Sequence, residues 1–430
     1  MNYQQTIDYL YNSMPMFQRE GKAAYKIGLG NIETLCAALG NPHLQFKSVH
    51  VAGTNGKGSS SHYLSAILQA SQYKVGLFTS PHLKSFTERV KVNGVEVPQD
   101  FIVAFVAEHQ LLFESVRPSF FELTTVLAFS YFASQKVDIA VIEVGMGGRL
   151  DSTNIITPLV ALITNIGFDH EEYLGDTIAK IAVEKAGIIK NRVPIVVSEY
   201  QSDTIDVFEN VAQNLQAPLI KAFEFYSVNA SCTLHGLLQM DVVNTHSQNI
   251  FILQSELIGH YQLKNIVGVL AVIDTLKSIG YLISNECIEL GVLNVIKLTG
   301  LKGRWQQLGI SPLVFCDTGH NEAGLRLVID QINAYSFQQL YIVLGMVNDK
   351  SHEKVLSLLP KNAYYLFCQA SIPRALDAQK LCLMAQSIGL KGEIVKEVNE
   401  AIAKAKFLAT VNDFIFIGGS TFVVAEIKEL

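Results

Sequence analysis

Residues 51–60 read Val-Ala-Gly-Thr-Asn-Gly-Lys-Gly-Ser-Ser, a glycine-rich run that ends in one lysine and two hydroxyls. Gly53, Gly56 and Gly58 permit a tight turn, so that successive backbone N–H groups can point at phosphate oxygens. Lys57 adds a full positive charge, and Ser59 or Ser60 offers a hydroxyl to Mg²⁺. A helix starting here adds the partial charge of its N-terminus. The chemistry implied is nucleoside triphosphate binding. The run departs from the usual G-x-x-x-x-G-K-[ST] spacing: only Thr54 and Asn55 separate the first two glycines, and Gly58 stands between Lys57 and Ser59.

Three further polar clusters end apolar runs: Thr79-Ser80-Pro81-His82, then Glu143 with its glycine-rich continuation to Asn154, and Asn165-Ile-Gly-Phe-Asp-His170. Ser80, Glu143 and His170 could share one hard divalent cation, with nucleotide phosphates filling other positions. General base is the competing role for His170. Lys185 falls on the apolar stripe of Ile178, Ile181, Ala182 and Ile188, where burial favours its neutral amine. A neutral amine can take up CO₂ as a carbamate. Snorkelling to solvent, or pairing with Glu184 or Glu143, fits the same spacing.

The elements needed to position these residues are legible as periodicity. Strands are expected at Phe46–Ala52, Val75–Thr79, Val137–Val144 and Leu159–Ile166, the last two apolar enough for burial on both faces of a parallel sheet. Helices are expected after the glycine-rich run and over Phe101–Ser115, Glu122–Ala133, Asp176–Lys190 and Tyr261–Ile279. Between them, residues 192–258 alternate in short strands such as Cys232–Leu238 and Asn249–Leu253. A second α/β unit follows, with strands at Leu313–Asp317, Leu340–Leu344, Ala363–Cys368, Glu393–Val395 and Asp413–Gly418. The reading is α/β throughout: a P-loop doubly wound domain over 1–298 and a smaller Rossmann-like domain over 299–430, joined by the Gly- and Lys-containing stretch Lys297–Arg304. Two such domains imply a cleft in which two substrates could be joined. In the second domain, Asp317-Thr-Gly-His320-Asn and Gly345-Met-Val-Asn-Asp349-Lys350 each follow a strand and open a helix. With Arg304 at the linker, they suit contacts to a nucleotide. Trp305, the sole tryptophan, reads as packing.

Composition excludes several classes. With 33 basic and 39 acidic residues and no basic run, the net charge of −6 speaks against a nucleic-acid partner. Six cysteines without a C-x-x-C pair read as reduced thiols, neither a disulfide nor a zinc framework. The start of the chain lacks the charged and apolar regions of a signal peptide, and no apolar run reaches membrane-spanning length. A cytoplasmic, monomeric enzyme acting on small molecules is expected.

The loop Ala52–Ser59 and the segment Val141-Ile-Glu-Val-Gly-Met-Gly-Gly-Arg-Leu-Asp-Ser-Thr-Asn154 resemble the two signatures of folylpolyglutamate synthases and of the bifunctional dihydrofolate synthases, within the Mur-ligase superfamily. The resemblance implies two domains closing around ATP, a pterin and L-glutamate. It implies phosphates on Thr54, Asn55, Gly56, Lys57, Gly58, Ser59 and Ser60, Mg²⁺ at Ser80, Glu143 and His170, and further ATP contacts at Asn265, Arg304, Asp317 and His320. It favours the carbamate at Lys185, which could then bridge a second metal with His170. Ser119, Phe120, Phe121 and Glu122, with Leu150, Asp151 and Ser152, match pterin-holding segments. Lys57, His170, Lys185 and Asp151 are the expected catalytic residues. Where the family usually has Asp-Gly-Ala-His-Asn, this chain has Asp317-Thr-Gly-His-Asn321. The implied reaction forms an acyl phosphate that the glutamate amine attacks, on dihydropteroate and on reduced folates. A peptidoglycan-type Mur ligase, a chain-extending synthase alone, and a P-loop NTPase without ligase activity are the other readings.

Overall fold

The fold is described from a computed structural model for residues 1–14, 28–234, 236–348 and 352–430. The chain divides into two compact units, one of Met1–Glu256 with Tyr261–Leu301, the other of Leu257–His260 with Lys302–Leu430. The first unit is built on an eight-stranded sheet of β1 (Lys47–Ala52), β2 (Val75–Phe78), β3 (Val90–Val92), β4 (Val95–Glu96), β5 (Ile139–Glu143), β6 (Val160–Ile163), β7 (Ile195–Val197) and β8 (Leu219–Lys221). Their spatial order is 4-3-2-5-1-6-7-8. All pairs are parallel except those made by β3 and β4 at one edge. Five of the six residues of β1 and all five of β5 are buried, which is why both read as near-continuous apolar runs. Val51 lies level with Glu143 on one side and with Leu162 on the other, so the loops leaving β1, β5 and β6 emerge side by side. Ligands of open α/β sheets gather at such strand ends.

Helices cover the sheet. The Phe120–Gln135 helix is apolar nearly all round and correspondingly buried. The expected Asp176–Lys190 helix is shorter, Ile178–Ala186: the Thr177 side chain caps it, and Gly187 ends it. A three-stranded antiparallel sheet, β9 (Tyr226–Leu234), β10 (Leu237–Asn244) and β11 (Ile250–Ser255), follows β8. The expected strand Cys232–Leu238 in fact straddles the β9–β10 turn, where Gly236 adopts φ +78°. Alternation persists across a tight hairpin, so periodicity alone could not locate the turn.

The second unit has a six-stranded sheet of β12 (Gln306–Ile310), β13 (Leu313–Cys316), β14 (Leu340–Leu344), β15 (Tyr364–Phe367), β16 (Lys391–Ile394) and β17 (Phe414–Gly418), in the order 12-13-17-14-15-16. Only β12 runs antiparallel. It went unanticipated because its Gln-Gln-Leu-Gly-Ile sequence, half exposed at an edge, carries no apolar signal. Trp305 is fully buried and stacks on Phe315 at 5.0 Å between ring centres, a packing role as expected. The stretch Lys297–Arg304 is helical as far as Thr299, and Gly300 and Gly303 then take positive φ.

Candidate functional site

The glycine-rich loop joins β1 to the helix Lys57–Ala70, whose N-cap is Gly56 at φ +85°. A Cβ at Gly56 would stand 2.2 Å from Asn265 Oδ1, and one at Gly53 would stand 1.9 Å from Thr164 Oγ1, so neither position admits a side chain. The loop after β6 clasps this turn. Asn165 Oδ1 accepts from Asn55 N at 2.9 Å, and Asn165 O accepts from Thr54 N at 2.8 Å. The Thr54 hydroxyl accepts from Gly167 N at 2.9 Å and donates to Gly167 O at 3.1 Å. Gly58, Ser59 and Ser60 lie in the first turn of the helix, and Ser60 Oγ has no hydrogen-bond partner among the described residues. Ser59 Oγ accepts from Gln262, whose side-chain oxygen in turn accepts from Asn265. Asn265 is thus tied to the nucleotide loop.

Lys57 folds back over the loop, its Nζ donating to Gly53 O at 3.0 Å and to Thr54 O at 3.1 Å. Lys185 Nζ donates to the same Gly53 oxygen at 2.9 Å. Lys185 is only 4% exposed, so it does not snorkel, and Glu184 pairs instead with Arg149 at 2.8 Å. Burial first, and the Lys57 ammonium second, pull the Lys185 amine down to about 7, against the opposing pull of Asp169 and Asp151.

Glu143 ends β5, 4% exposed, and its Oε2 accepts from the backbone N–H of Ser80 at 3.1 Å, so two of the three expected metal residues stand together. His170 adopts φ +53°, and its Nε2 lies 3.9 Å from Asp169 Oδ1. A positive φ at a bulky residue is uncommon. The turn after Glu143 has neighbours too close for side chains. A Cβ at Gly145 would meet Phe121 at 2.5 Å, and one at Gly148 would meet the carbonyl oxygens of Glu184 and Lys185 at 2.9 and 3.0 Å. Thus the turn is pressed onto the helix that presents Lys185. Asp151 is buried and committed to this turn: Oδ1 accepts from Thr153 N and Oγ1, and Oδ2 from Met146 N. Burial raises its carboxyl, and these bonds oppose that. Ser152 opens the short 3₁₀ turn that Asp151 caps, with Leu150 preceding it.

Ser119 and Glu122 form a reciprocal cap at the start of the Phe120–Gln135 helix, and Glu122 Oε2 also receives Asn31 Nδ2 at 3.3 Å. Phe120 is a core residue, packed on Tyr11 and Phe86 with Arg89 over its ring at 5.2 Å. Phe121 is half-buried beside Gly145. Arg89 carries no motif that would mark it: although 1% exposed, it donates through Nε to His82 Nδ1 at 2.7 Å and thereby holds the Ser80 loop. Burial lowers its guanidinium to about 10 and, with Arg89 beside it, the His82 imidazole to about 2. His50 was likewise missed. Sitting in a strand, it donates through Nε2 to Thr153 Oγ1 at 2.8 Å, whose own O–H donates to Asp151 Oδ1.

In the second unit, Arg304, Asp317 and His320 gather round Thr318. Arg304 donates to its hydroxyl, His320 Nδ1 lies 2.9 Å from its carbonyl, and Asp317 receives Trp305 N and Gly319 N at 2.6 and 2.7 Å. The departure from Asp-Gly-Ala-His-Asn therefore gives Arg304 a hydroxyl partner. In the motif Gly345–Lys350, Asp349 and Lys350 lie outside the described residues.

The Mur ligase middle domain matches residues 51–273, and the Mur ligase glutamate ligase domain matches 303–421. A dihydrofolate synthase/folylpolyglutamate synthase of Bacillus subtilis is 31% identical over 95% of this chain and 96% of its own length. The chain belongs to the Mur ligase family, on its folylpolyglutamate synthase branch. A folylpolyglutamate synthase of Lacticaseibacillus casei is 30% identical over 100% and 98% of the two chains. The structure of Escherichia coli FolC in complex with DHPP and ADP superposes with a TM-score of 0.86, at 28% identity, over 100% of this chain and 97% of that one.

Membership carries the fold and the class, ATP-dependent ligase. The Mur ligase middle domain match begins at Val51 and takes in the glycine-rich loop, Glu143, His170, Lys185 and Asn265, while the glutamate ligase domain match takes in Arg304, Asp317 and His320. No helix among the described residues is long and apolar enough to cross a membrane.

Proposed function

We propose that this Mur ligase adds L-glutamate to dihydropteroate and to reduced folates at the expense of ATP. The observation that carries the site assignment is the convergence of Lys57 and Lys185 on Gly53 O, at the mouth of a loop whose remaining N–H groups suit phosphate oxygens. Among the described residues no three His, Cys, Asp or Glu side chains form a metal cluster. The donor set still fits Mg²⁺, which takes one or two carboxylates and completes its shell with phosphate oxygens and water. Glu143 and the Ser80 hydroxyl would hold the ion beside the phosphates, and His170 would flank them. When bound, the ion would neutralise charge on the β- and γ-phosphates.

The chain's own part is positioning and electrostatics. Loop amides and Lys57 hold the triphosphate while the substrate carboxylate attacks the γ-phosphorus and ADP leaves. Asn265 is the first unit's further candidate contact to the nucleotide, and Arg304, Asp317 and His320 are the second unit's own candidate ATP contacts. The glutamate amine then attacks the acyl phosphate, forming the amide and releasing phosphate. Phe121 offers a flat apolar face for the pterin beside Gly145, bordered by Leu150 and Ser152, while Ser119, Phe120, Glu122 and Asp151 hold its walls in shape. Lys185 acts as a carbamate: burial and the Lys57 ammonium favour its neutral amine, whose nitrogen adds to CO₂ and gives up one proton to solvent, and the resulting carboxylate, with His170, would hold a second cation if one binds. Six free cysteines support a reducing, cytoplasmic setting.

The relative of Lacticaseibacillus casei is named for chain extension alone, so dual use of substrates needs its own test. Incubation with dihydropteroate, and separately with tetrahydrofolate, followed by mass spectrometry, should give the glutamylated product from each. Product from tetrahydrofolate only would reduce the function to folylpolyglutamate synthesis.

A further inference from the structure

The loop after β6 serves the proposed site twice: Asn165 and Gly167 clasp the nucleotide loop, and His170 follows three residues later. From the opposite side it is held by Gln201, in the segment after β7. Gln201 Oε1 accepts from Ile166 N at 2.7 Å, and Gln201 Nε2 donates to Ile166 O at 2.7 Å. Ile166 is therefore gripped at both backbone groups, as by a strand partner, just past the end of β6–β7 pairing at Ile163 and Val197. Gln201 is itself anchored, because its carbonyl accepts from Thr204 N and Ile205 N at the start of the helix Ile205–Asn214. The same segment reaches the helix of Asn265: Ser198 Oγ donates to Lys264 O at 3.0 Å, and a Cβ on Gly268 would stand 2.5 Å from Ser198 Oγ.

We propose that Gln201 is a positioning residue for nucleotide binding, fixing through the Ile166 backbone the register in which Asn165, Gly167 and His170 meet the Gly53–Gly56 loop. It rests on the nucleotide-binding reading above. An amide suits the task because it presents one donor and one acceptor together; glutamate lacks the donor and methionine lacks both. Nothing in the sequence singles Gln201 out, since its partner is backbone and its motif is none.

The test uses Gln201→Met and Gln201→Glu in the full chain. Hydrogen–deuterium exchange on unliganded protein should speed up about tenfold in peptides covering 164–170 and 53–58, as two lost hydrogen bonds imply. The KM for ATP should rise by about tenfold, with a smaller change for L-glutamate. Gln201→Glu should do no better than Gln201→Met, since its carboxylate faces the Ile166 carbonyl. Exchange altered only around residue 201, or a fall in kcat with the ATP KM unchanged, would overturn the proposal, because a merely structural role removes active protein without touching affinity. Were the wild type to lack ligase turnover, the function proposed above would fail, while the exchange measurement would still decide the role of Gln201.

Discussion

Gly53 O accepts from Lys57 and Lys185 together, and the two lysines divide the work between them. Lys57 is half-buried at the open side of the loop, so Lys57→Ala should leave the thermal midpoint nearly unchanged while kcat falls roughly 100-fold or more, the usual loss for a charge-assisted contact made in the transition state. Turnover close to wild type would remove the phosphate loop from the mechanism. Lys185 is different because its amine titrates near 7 where an ordinary lysine titrates at 10.5. Between those values the unfolded chain binds the extra proton, so the cost of burying this group is full below about pH 7 and is relieved as pH rises toward 10.5. The neutral amine is the form that takes up CO₂. A carbamate signal from ¹³C-labelled bicarbonate should accordingly grow as pH rises through about 7 and vanish in Lys185→Met. Absence of any signal at pH 8 would leave Lys185 a plain lysine.

At the scale of elements, the site depends on how closely a turn approaches a helix. Gly148 has no room for a methyl group because the carbonyls of Glu184 and Lys185 stand 2.9 and 3.0 Å from where it would be. Gly148→Ala should therefore push the Lys185 helix outward, costing about 1–3 kcal/mol in a denaturant titration, with a greater loss of activity than of stability. A variant as stable and as active as wild type would mean the helix can shift freely. The strands β1, β5 and β6 and the glycine-rich loop were legible because burial on both faces and turn chemistry both leave marks on the sequence. The braces were not. His50 sits in an apolar strand, Arg89 ends a short 3₁₀ turn just before β3, and Gln201 bonds only to backbone, so each looks ordinary until the fold brings its partner from 103, 7 or 35 residues away. Phe120 illustrates the converse: the family motif marked it for substrate, whereas its ring lies in the core and Phe121 faces the turn.

For the molecule as a whole, buried histidines set its response to acid. Burial, with Lys190 nearby, lowers His50 to about 3 from an ordinary 6.5. The unfolded chain takes up a proton over that interval, so stability is fully present above about 6.5 and is lost as pH falls toward 3. The urea midpoint should drop between pH 7 and pH 5 by more in wild type than in His50→Gln; equal drops would show that His50 titrates normally. In an ATP-dependent ligase, ATP cleavage is coupled to amide formation. The most direct measurement is ADP release with dihydropteroate or tetrahydrofolate, with and without L-glutamate. Sustained release is expected only when both the carboxylate substrate and L-glutamate are present, in step with glutamylated product. Equal ADP release without them would contradict it and leave an NTPase.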